Sequence, residues 1–407
     1  MGQDEWAEKI RQQMRFEFER TGPPDDFPAL PEIPTERYIS SEFFALEKKI
    51  WQQSWLLVGR EEDWSEPGRY RTVDRGGSPL LICRDLDGEL RGFFNTCQHR
   101  GAPVVREACG LAKRLRCQYH SWTYGLDGEL LSVPDERDFR DLDRGSRGLR
   151  PVRLETYGGW VFVNEDLDAE PLLSWLGPIA QEWAPLHGES LRAIATRRKR
   201  VPANWKIVSD AFLETYHVKT IHKSTVSKLL DHRGAAMGLF PNGHSRMITP
   251  KWERIVKRQK EAASRIRELP GLHALFSETN PAYSVFPNLI TPLDTVGFPF
   301  IQFWPMGIAE TEVEWTFYGL PTDAPEEQAA WEAYVGVFDQ VMGEDFQNLG
   351  SMHRSVASGA LASIPLNYQE RRIYHLHEEI DRRLGRDLIP EAMQVPPVLE
   401  PFWESQS

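Results

Sequence analysis

The stretch NTCQHRGAPVVREACG, residues 95–110, and the stretch LRCQYHSWTYGLDGEL, residues 115–130, each carry near their start one cysteine closely followed by one histidine. Cys97-x-His99 is followed, 17 residues on, by Cys117-x-x-His120. Two thiolates and two imidazoles can bind zinc or a [2Fe-2S] cluster, because both take soft anionic sulfur and borderline nitrogen. Zinc sites commonly pair like with like, two cysteines in one loop and two histidines in another. One Cys and one His per loop suits instead a cluster whose two irons differ, one holding both cysteines and the other both histidines. Structural zinc is the rival reading.

Working outward, residues 54–165 are short apolar or alternating runs: SWLLVG, GRYRTV, PLLICR, LRGFFN, TYGLDGEL and GGWVFVNE. Gly76-Gly77, Asp87-Gly88 and Asp127-Gly128 are hairpin signals, so this module is all-β. Before it, the pattern predicts a helix over 3–20 and a helix over 41–52 opened by Ser40 or Ser41. Prolines at 23, 24, 28, 31 and 34 predict an extended linker between them. After 166 the texture is mixed. Helices are expected at 170–184, from Asn204 towards His217, at 251–269, at 325–356 and near 367–384. Strands are expected at 191–201, 281–290, 298–305 and 310–320. The fold class is therefore α+β, with an N-terminal helix and linker at 1–40, the β module at 41–165 and a second domain at 166–407.

With 48 Lys+Arg against 60 Asp+Glu, the formal charge is −12. That balance argues against a duplex-binding protein, which needs a basic stripe to displace counterions, so no nucleic-acid partner is expected. No apolar run is long enough for a membrane span, and the first twenty residues lack the apolar core of a signal peptide. Four cysteines in 407 residues are too few for a disulfide scaffold, so a reducing, cytoplasmic setting is the expectation. No G-x-G-x-x-G follows a strand, so neither NAD nor flavin is expected on this chain, and electrons must come from another protein.

The C-x-H-R-G and C-x-Y-H-x-W-x-Y-x-x-x-G elements together resemble the Rieske signature of the aromatic-ring-hydroxylating, non-haem iron oxygenases. The resemblance implies that Cys97, His99, Cys117 and His120 hold a [2Fe-2S] cluster. Respiratory-chain Rieske proteins carry a second cysteine in each loop, where Ala102 and Tyr119 stand here, which favours the oxygenase type. Tyr119, Trp122 and Tyr124 are expected to pack around the cluster and dry it. Cys83, in PLLIC, reads as a small core residue, and Cys109 as an inert loop thiol.

A second constellation lies in ANWKIVSDAFLETYHVKTIH, residues 203–222. In an unbroken α-helix, His217 and His222 would point about 140° apart, so both reach one metal only if the helix bulges or ends after His217. Taken alone, the pair reads as structural. Beside a Rieske motif, the segment resembles the mononuclear iron segment of the same family, where two histidines and a late carboxylate bind Fe(II) and leave an open face. Phe338, Met342, Asp345, Leu349 and Met352 recur at helical spacing, which puts Asp345 inside the apolar stripe, where an unpaired carboxylate is costly. The GEDF context also resembles the family's third-ligand motif, so Asp345 is preferred over Glu344. Glu214, three residues before His217, would share a helical face with it. By the resemblance, Glu214 links a neighbour's His120 to His217; the alternative is a surface glutamate. Asp210 stands where many relatives have Asn, and its role stays open between a support behind the metal ligands, a substrate contact and a pocket acid.

The resemblance covers about residues 38–350 and implies a Rieske β domain joined to a helix-grip catalytic domain, an antiparallel sheet around a long helix. It further implies a head-to-tail homotrimer, with a small β subunit as a variant, fed by an NAD(P)H-dependent reductase and in some cases a ferredoxin. The activity expected is O2-dependent hydroxylation of a small, aromatic organic substrate, as mono- or cis-dihydroxylation. The alternatives are a monooxygenase or demethylase acting on a non-aromatic or quaternary-amine substrate, and an electron-transfer or binding protein with an inactive second site. TRRKR at 196–200 reads as a solvated strand edge, and HLH at 375–377, in a charged context, reads as surface. The segment 223–280 is expected to cover the iron pocket and to carry substrate identity.

Overall fold

The computed structural model describes residues 2–261 and 264–404, with Arg75 described by its backbone only. The chain divides into two units, one of residues 51–175, the other joining the segment up to Ile50 to the segment from Leu176 onward.

In the first unit a seven-stranded antiparallel sheet runs, edge to edge, through Leu56–Arg60, Trp160–Asn164, Pro151–Tyr157, Leu90–Phe94, Ser78–Arg84, Arg69–Arg75 and Cys109–Leu111. A smaller sheet of Leu115–Arg116, Thr123–Tyr124 and Leu130–Ser132 completes the module. Its core gathers Tyr70, Leu81, Phe93, Leu115, Trp122 and Tyr124 around the two thiols of Cys97 and Cys117. Cys83 is fully buried in that core, and burial pushes its thiol up to about 12, so it is the inert packing residue expected. Cys109 is exposed on the edge strand.

In the second unit seven antiparallel strands run in the order Arg192–Val201, Glu310–Gly319, Gly297–Gly307, Leu289–Pro292, Thr279–Val285, Ser245–Pro250 and Ala236–Leu239. The helix Pro325–Ala357 packs on this sheet through Phe317 against Phe338 and Trp315 against Phe346. Gly319 permits the close approach, because a Cβ there would collide with the ring of Trp331. The basic run 196–200 lies on the edge strand and is exposed, as read from the sequence.

Several expectations change. The helix expected over 41–52 breaks at Glu47, between Ser41–Leu46 and Lys48–Gln53, because this carboxylate turns inward to Lys206 and to the Trp205 indole. Residues 41–50 therefore pack in the second unit, not with the β module. The stretch read as linker also belongs there. Ile33–Pro34 pairs with Ser363–Ile364, and Arg37 and Tyr38 are buried. The helix expected over 170–184 divides at Gly177, which has φ of 53°. The helix expected over 251–269 spans Glu253–Glu261, while residues 262–263 lie outside the described residues.

The largest departure is HLH. His375 and His377 are each 0% exposed in the helix Arg371–Leu384, and most of its charged side chains turn inward to partners. Arg37 donates to Asp381 at 2.6 Å, Glu379 takes Arg382 and Arg383, and Glu378 accepts from the backbone of Leu399 at 3.0 Å.

Candidate metal centres

The two Cys/His loops share one backbone pattern. Cys97 N donates to Ala102 O at 2.8 Å and Gly101 N to Cys97 O at 2.9 Å, while Cys117 N donates to Trp122 O and Ser121 N to Cys117 O, both at 2.9 Å. Each turn needs positive φ at its fifth residue, 74° at Gly101 and 62° at Ser121. This explains the glycine of C-x-H-R-G and marks Ser121 as a strained position. The turns bring the four side chains together. The His99 and His120 rings lie 4.6 Å apart, His99 stacks on Trp122 at 4.9 Å, and Cys97 and Cys117 are 3% and 1% exposed. Tyr124 is fully buried, with its hydroxyl 3.3 Å from Cys97 Sγ and 3.0 Å from Gln98 N. Tyr119 departs from expectation. It is 53% exposed, lying over His120 with Arg100 across its ring, and so presents the tip and does not dry it.

Buried Asn95 accepts from Val104 N and Val105 N and donates to Val105 O, pinning the first loop from below, a role the sequence reading missed. Burial raises Cys97 and lowers His99 from their ordinary values. His99 Nδ1 is buried without a hydrogen-bond partner among the described residues. Two thiols and two imidazoles, one ring nitrogen left unmatched, fit a [2Fe-2S] cluster with both cysteines on one iron and both histidines on the other.

The second centre begins at Asn204, whose side chain accepts from Lys206 N at 3.0 Å and caps the helix Trp205–Ala211. The helix ends there, well short of His217, towards which the sequence pattern extends it. His217 instead opens and His222 closes a single turn, Val218–Ile221. That break removes the phase problem, and the two rings lie 5.0 Å apart. Asp345, 6% exposed on the long helix, meets both: its Oδ1 is 3.0 Å from His222 Nε2 and 3.6 Å from His217 Nε2. One ligand atom from each of the three lies within 4.8 Å of the others. Met352, placed in the same stripe by spacing, is 49% exposed.

Both imidazoles are held from behind. His217 Nδ1 meets Glu214 Oε1, and Glu214 Oε2 accepts from His217 N at 3.1 Å. Glu214 thus reaches His217 from the loop after the helix, not from a shared helical face. His222 Nδ1 lies 2.7 Å from Glu344 Oε2, which also accepts from Thr225 Oγ1 at 2.6 Å. Burial acts to lower His222, but Asp345 and Glu344 outweigh it and hold the ring above its ordinary value. Glu344 is lowered against its own burial by Thr225 and His222. The donor set, two histidines and one buried carboxylate with each outer ring nitrogen on a carboxylate, fits Fe(II) with open positions.

Asp210 joins a different network. Its Oδ2 accepts from Tyr38 Oη at 2.7 Å, that hydroxyl lies 3.0 Å from His377 Nε2, and Arg37 Nε donates to His377 Nδ1 at 3.1 Å. Asp210, Glu214, His217 and Asp345 line a cavity of about 360 Å³ together with Tyr38 and Glu370. Glu370 is raised by burial and by the neighbouring carboxylates of Glu214 and Asp210. The triad also borders a second cavity of about 280 Å³, walled mostly by apolar side chains from Phe212, Met247, Ile301, Phe338 and Met342. Residues of 223–280 contribute to that wall, through Val226, Leu229, Leu230 and the strand Ser245–Pro250, a strand that sequence reading did not anticipate. Among the described residues, no helix is long and apolar enough to cross a membrane.

A family model of the ring hydroxylating alpha subunit (catalytic domain) matches residues 182–386, and one of the Rieske [2Fe-2S] domain matches residues 54–157. The glycine betaine monooxygenase oxygenase subunit of Chromohalobacter salexigens is 30% identical over 229 residues, 56% of this chain but 49%, about half, of that protein. The large oxygenase component of the naphthalene 1,2-dioxygenase system of Pseudomonas putida is 29% identical over 313 residues, 69% of each chain. Among solved structures, a quaternary ammonium Rieske monooxygenase matches with a TM-score of 0.73 at 22% identity, over 90% of this chain and 99% of that one, a likeness of fold.

Proposed function

The chain belongs to the ring-hydroxylating α-subunit family of Rieske oxygenases, and from that premise we propose that it is a terminal oxygenase hydroxylating a small organic molecule in the 280 Å³ cavity beside the triad. Electrons come from a separate NAD(P)H-dependent reductase, directly or through a ferredoxin. The observation that carries the reading is the convergence of His217, His222 and Asp345 to within 4.8 Å on one wall of that cavity. When bound, a Rieske cluster stores one electron at a time, and a two-histidine, one-carboxylate Fe(II) supplies a site where O2 is reduced beside substrate.

The protein's own part is positional. Cys97, His99, Cys117 and His120 hold the cluster, and Trp122 and Tyr124 exclude water from its sulfur side. Glu214 and Glu344 fix both iron-binding rings with Nε2 inward. The apolar wall desolvates the substrate and orients it, and its pose over the triad decides between mono- and cis-dihydroxylation.

Glu214 has a further role in this reading. Its two oxygens, each with two lone pairs, already serve His217, and the side chain lines a cavity with Asp210 and Glu370. We place His120 of a neighbouring copy there, in a head-to-tail homotrimer, so that Glu214 joins the cluster of one copy to the iron of the next. Asp210, held by Tyr38 and His377, lines that cavity beside Glu214.

Anaerobically purified protein should carry about three iron and two acid-labile sulfide per chain, with almost no zinc. Zinc without sulfide would overturn the proposal. Omitting the reductase should abolish substrate-dependent O2 uptake.

A further inference from the structure

The 280 Å³ cavity runs along one face of the long helix. Tyr334, Phe338, Val341 and Asp345 all line it, and 345 − 334 = 11 residues is about three turns, or about 16 Å of helix axis. The triad stands at the Asp345 end. At the Tyr334 end the lining is polar, built from Lys251, Gln259, Asn280 and Asp294. Between the two ends it is apolar, with Met247, Ile290, Ile301 and Met342.

Lys251 dominates the polar end. It follows directly on the strand Ser245–Pro250, and its backbone N donates to Glu278 O at 2.9 Å, at the end of the short helix Leu275–Glu278, so its base is held at the end of that strand. Its side chain is only 6% exposed. The described contacts of the ammonium are Gln259 Oε1 at 3.4 Å and Asp294 Oδ1 at 3.5 Å. Both are at the outer limit of hydrogen-bond length, where a well-formed charged pair closes to about 2.7–2.9 Å. Asp294 is shared besides, with Oδ1 accepting from Thr295 N at 2.8 Å and Oδ2 lying 3.4 Å from Tyr334 Oη. A buried ammonium with three protons and two long contacts has strong hydrogen-bonding capacity unmet.

We infer that this enzyme's substrate is an elongated apolar molecule ending in a carboxylate or sulfonate, whose anion is taken by Lys251 while the carbon to be oxidised lies at the triad. The inference rests on the oxygenase reading of the cavity. The apolar stretch between the ends takes a ring-bearing body. A neutral hydrocarbon would seal the ammonium against apolar surface with part of its hydrogen bonding unmade, which is costly. A quaternary ammonium at the same end would face a like charge.

The test is isothermal titration of the full chain, with iron and sulfide measured on the same sample. The probes are biphenyl-4-carboxylate, biphenyl-4-carboxamide and (biphenyl-4-yl)methyl-trimethylammonium, which share a body and differ in head charge. The acid should bind about 10–100-fold more tightly than the amide. Lys251→Met should remove that preference and leave the amide within about threefold, while Lys251→Arg should keep it. Equal binding of acid and amide, tighter binding of the ammonium probe, or no binding of any probe overturns the inference, and none of these needs a variant to fold. Protein without iron and sulfide that still prefers the acid upholds the anion site while overturning the oxygenase reading.

Discussion

Glu344 Oε2 lies 2.7 Å from His222 Nδ1, on the ring edge opposite the Nε2 that faces Asp345 at 3.0 Å. Neighbouring residues on one helix therefore hold the two edges of one imidazole. With a carboxylate on Nδ1, the ring keeps its proton there and presents the Nε2 lone pair inward, the tautomer a metal requires. Glu214 does the same for His217, so both rings of the triad carry a carboxylate brace.

Removing the His222 brace should loosen iron without touching the cluster. Glu344→Ala is expected to weaken iron affinity about 10–100-fold. Iron per chain after a timed chelator challenge checks this, with sulfide per chain as the internal control. Asp345→Ala should lose the mononuclear iron outright. Equal retention in Glu344→Ala and the unaltered protein would remove Glu344 from the centre.

Glu214→Gln should separate the two centres functionally. The amide oxygen can still accept from His217 Nδ1, which keeps the tautomer iron requires, so iron and sulfide content should match the unaltered protein. It cannot, however, serve two imidazoles as a carboxylate does. Oxidation of the reduced cluster by O2 in the presence of substrate should slow at least about 100-fold, a loss of about 2.7 kcal/mol in the coupling step. Rapid-mixing absorbance of the cluster reads it directly, and an unchanged rate would sink the inter-copy bridge.

How much of this is legible in the sequence follows from where the information sits. The cluster loops are, because ligand spacing and turn chemistry are local, down to the glycine that positive φ demands at position 101. Asp345 is, because a carboxylate at the centre of an apolar helical stripe betrays itself by phase. The brace from Glu344 is not, since its partners His222 and Thr225 are more than a hundred residues away. The same holds for His375 and His377. Their helix reads as charged surface until Arg37, some 340 residues earlier, is seen to meet Asp381 and His377. Tyr119 fails for another reason: aromatic character predicts burial, and a ring at a loop tip escapes it.

Glu47 and Lys206 are 1% and 0% exposed and paired, with Trp205 Nε1 donating to Glu47 at 2.9 Å. Burial pushes Glu47 up and Lys206 down, each opposed by the other. Glu47→Leu strands the ammonium and should cost about 3–5 kcal/mol, Lys206→Met strands the carboxylate in turn, and the two together should recover most of either loss. Denaturant unfolding of the four proteins of this cycle measures the coupling. Additive losses would show that the pair does not act as a unit.

His375 should make stability depend on pH. Its Nε2 lies 2.8 Å from Phe240 O and 3.1 Å from His244 O and so carries a hydrogen, while buried Nδ1 has no partner among the described residues. Burial holds the ring down at about 4, against an ordinary value of 6.5. Between those values the unfolded chain takes up a proton that the folded chain refuses. Stability is therefore unaffected by this group above pH 6.5 and falls as pH falls through the window, by roughly 2 kcal/mol at pH 5 and 3 kcal/mol at pH 4. His375→Gln keeps an N–H for the two carbonyls and cannot titrate, so its stability should decline less steeply over that range by about the same amounts. Denaturant unfolding at pH 7, 6 and 5 gives the comparison, since every other titrating group is common to both proteins. Parallel curves would show that the proton taken up on acid unfolding goes elsewhere.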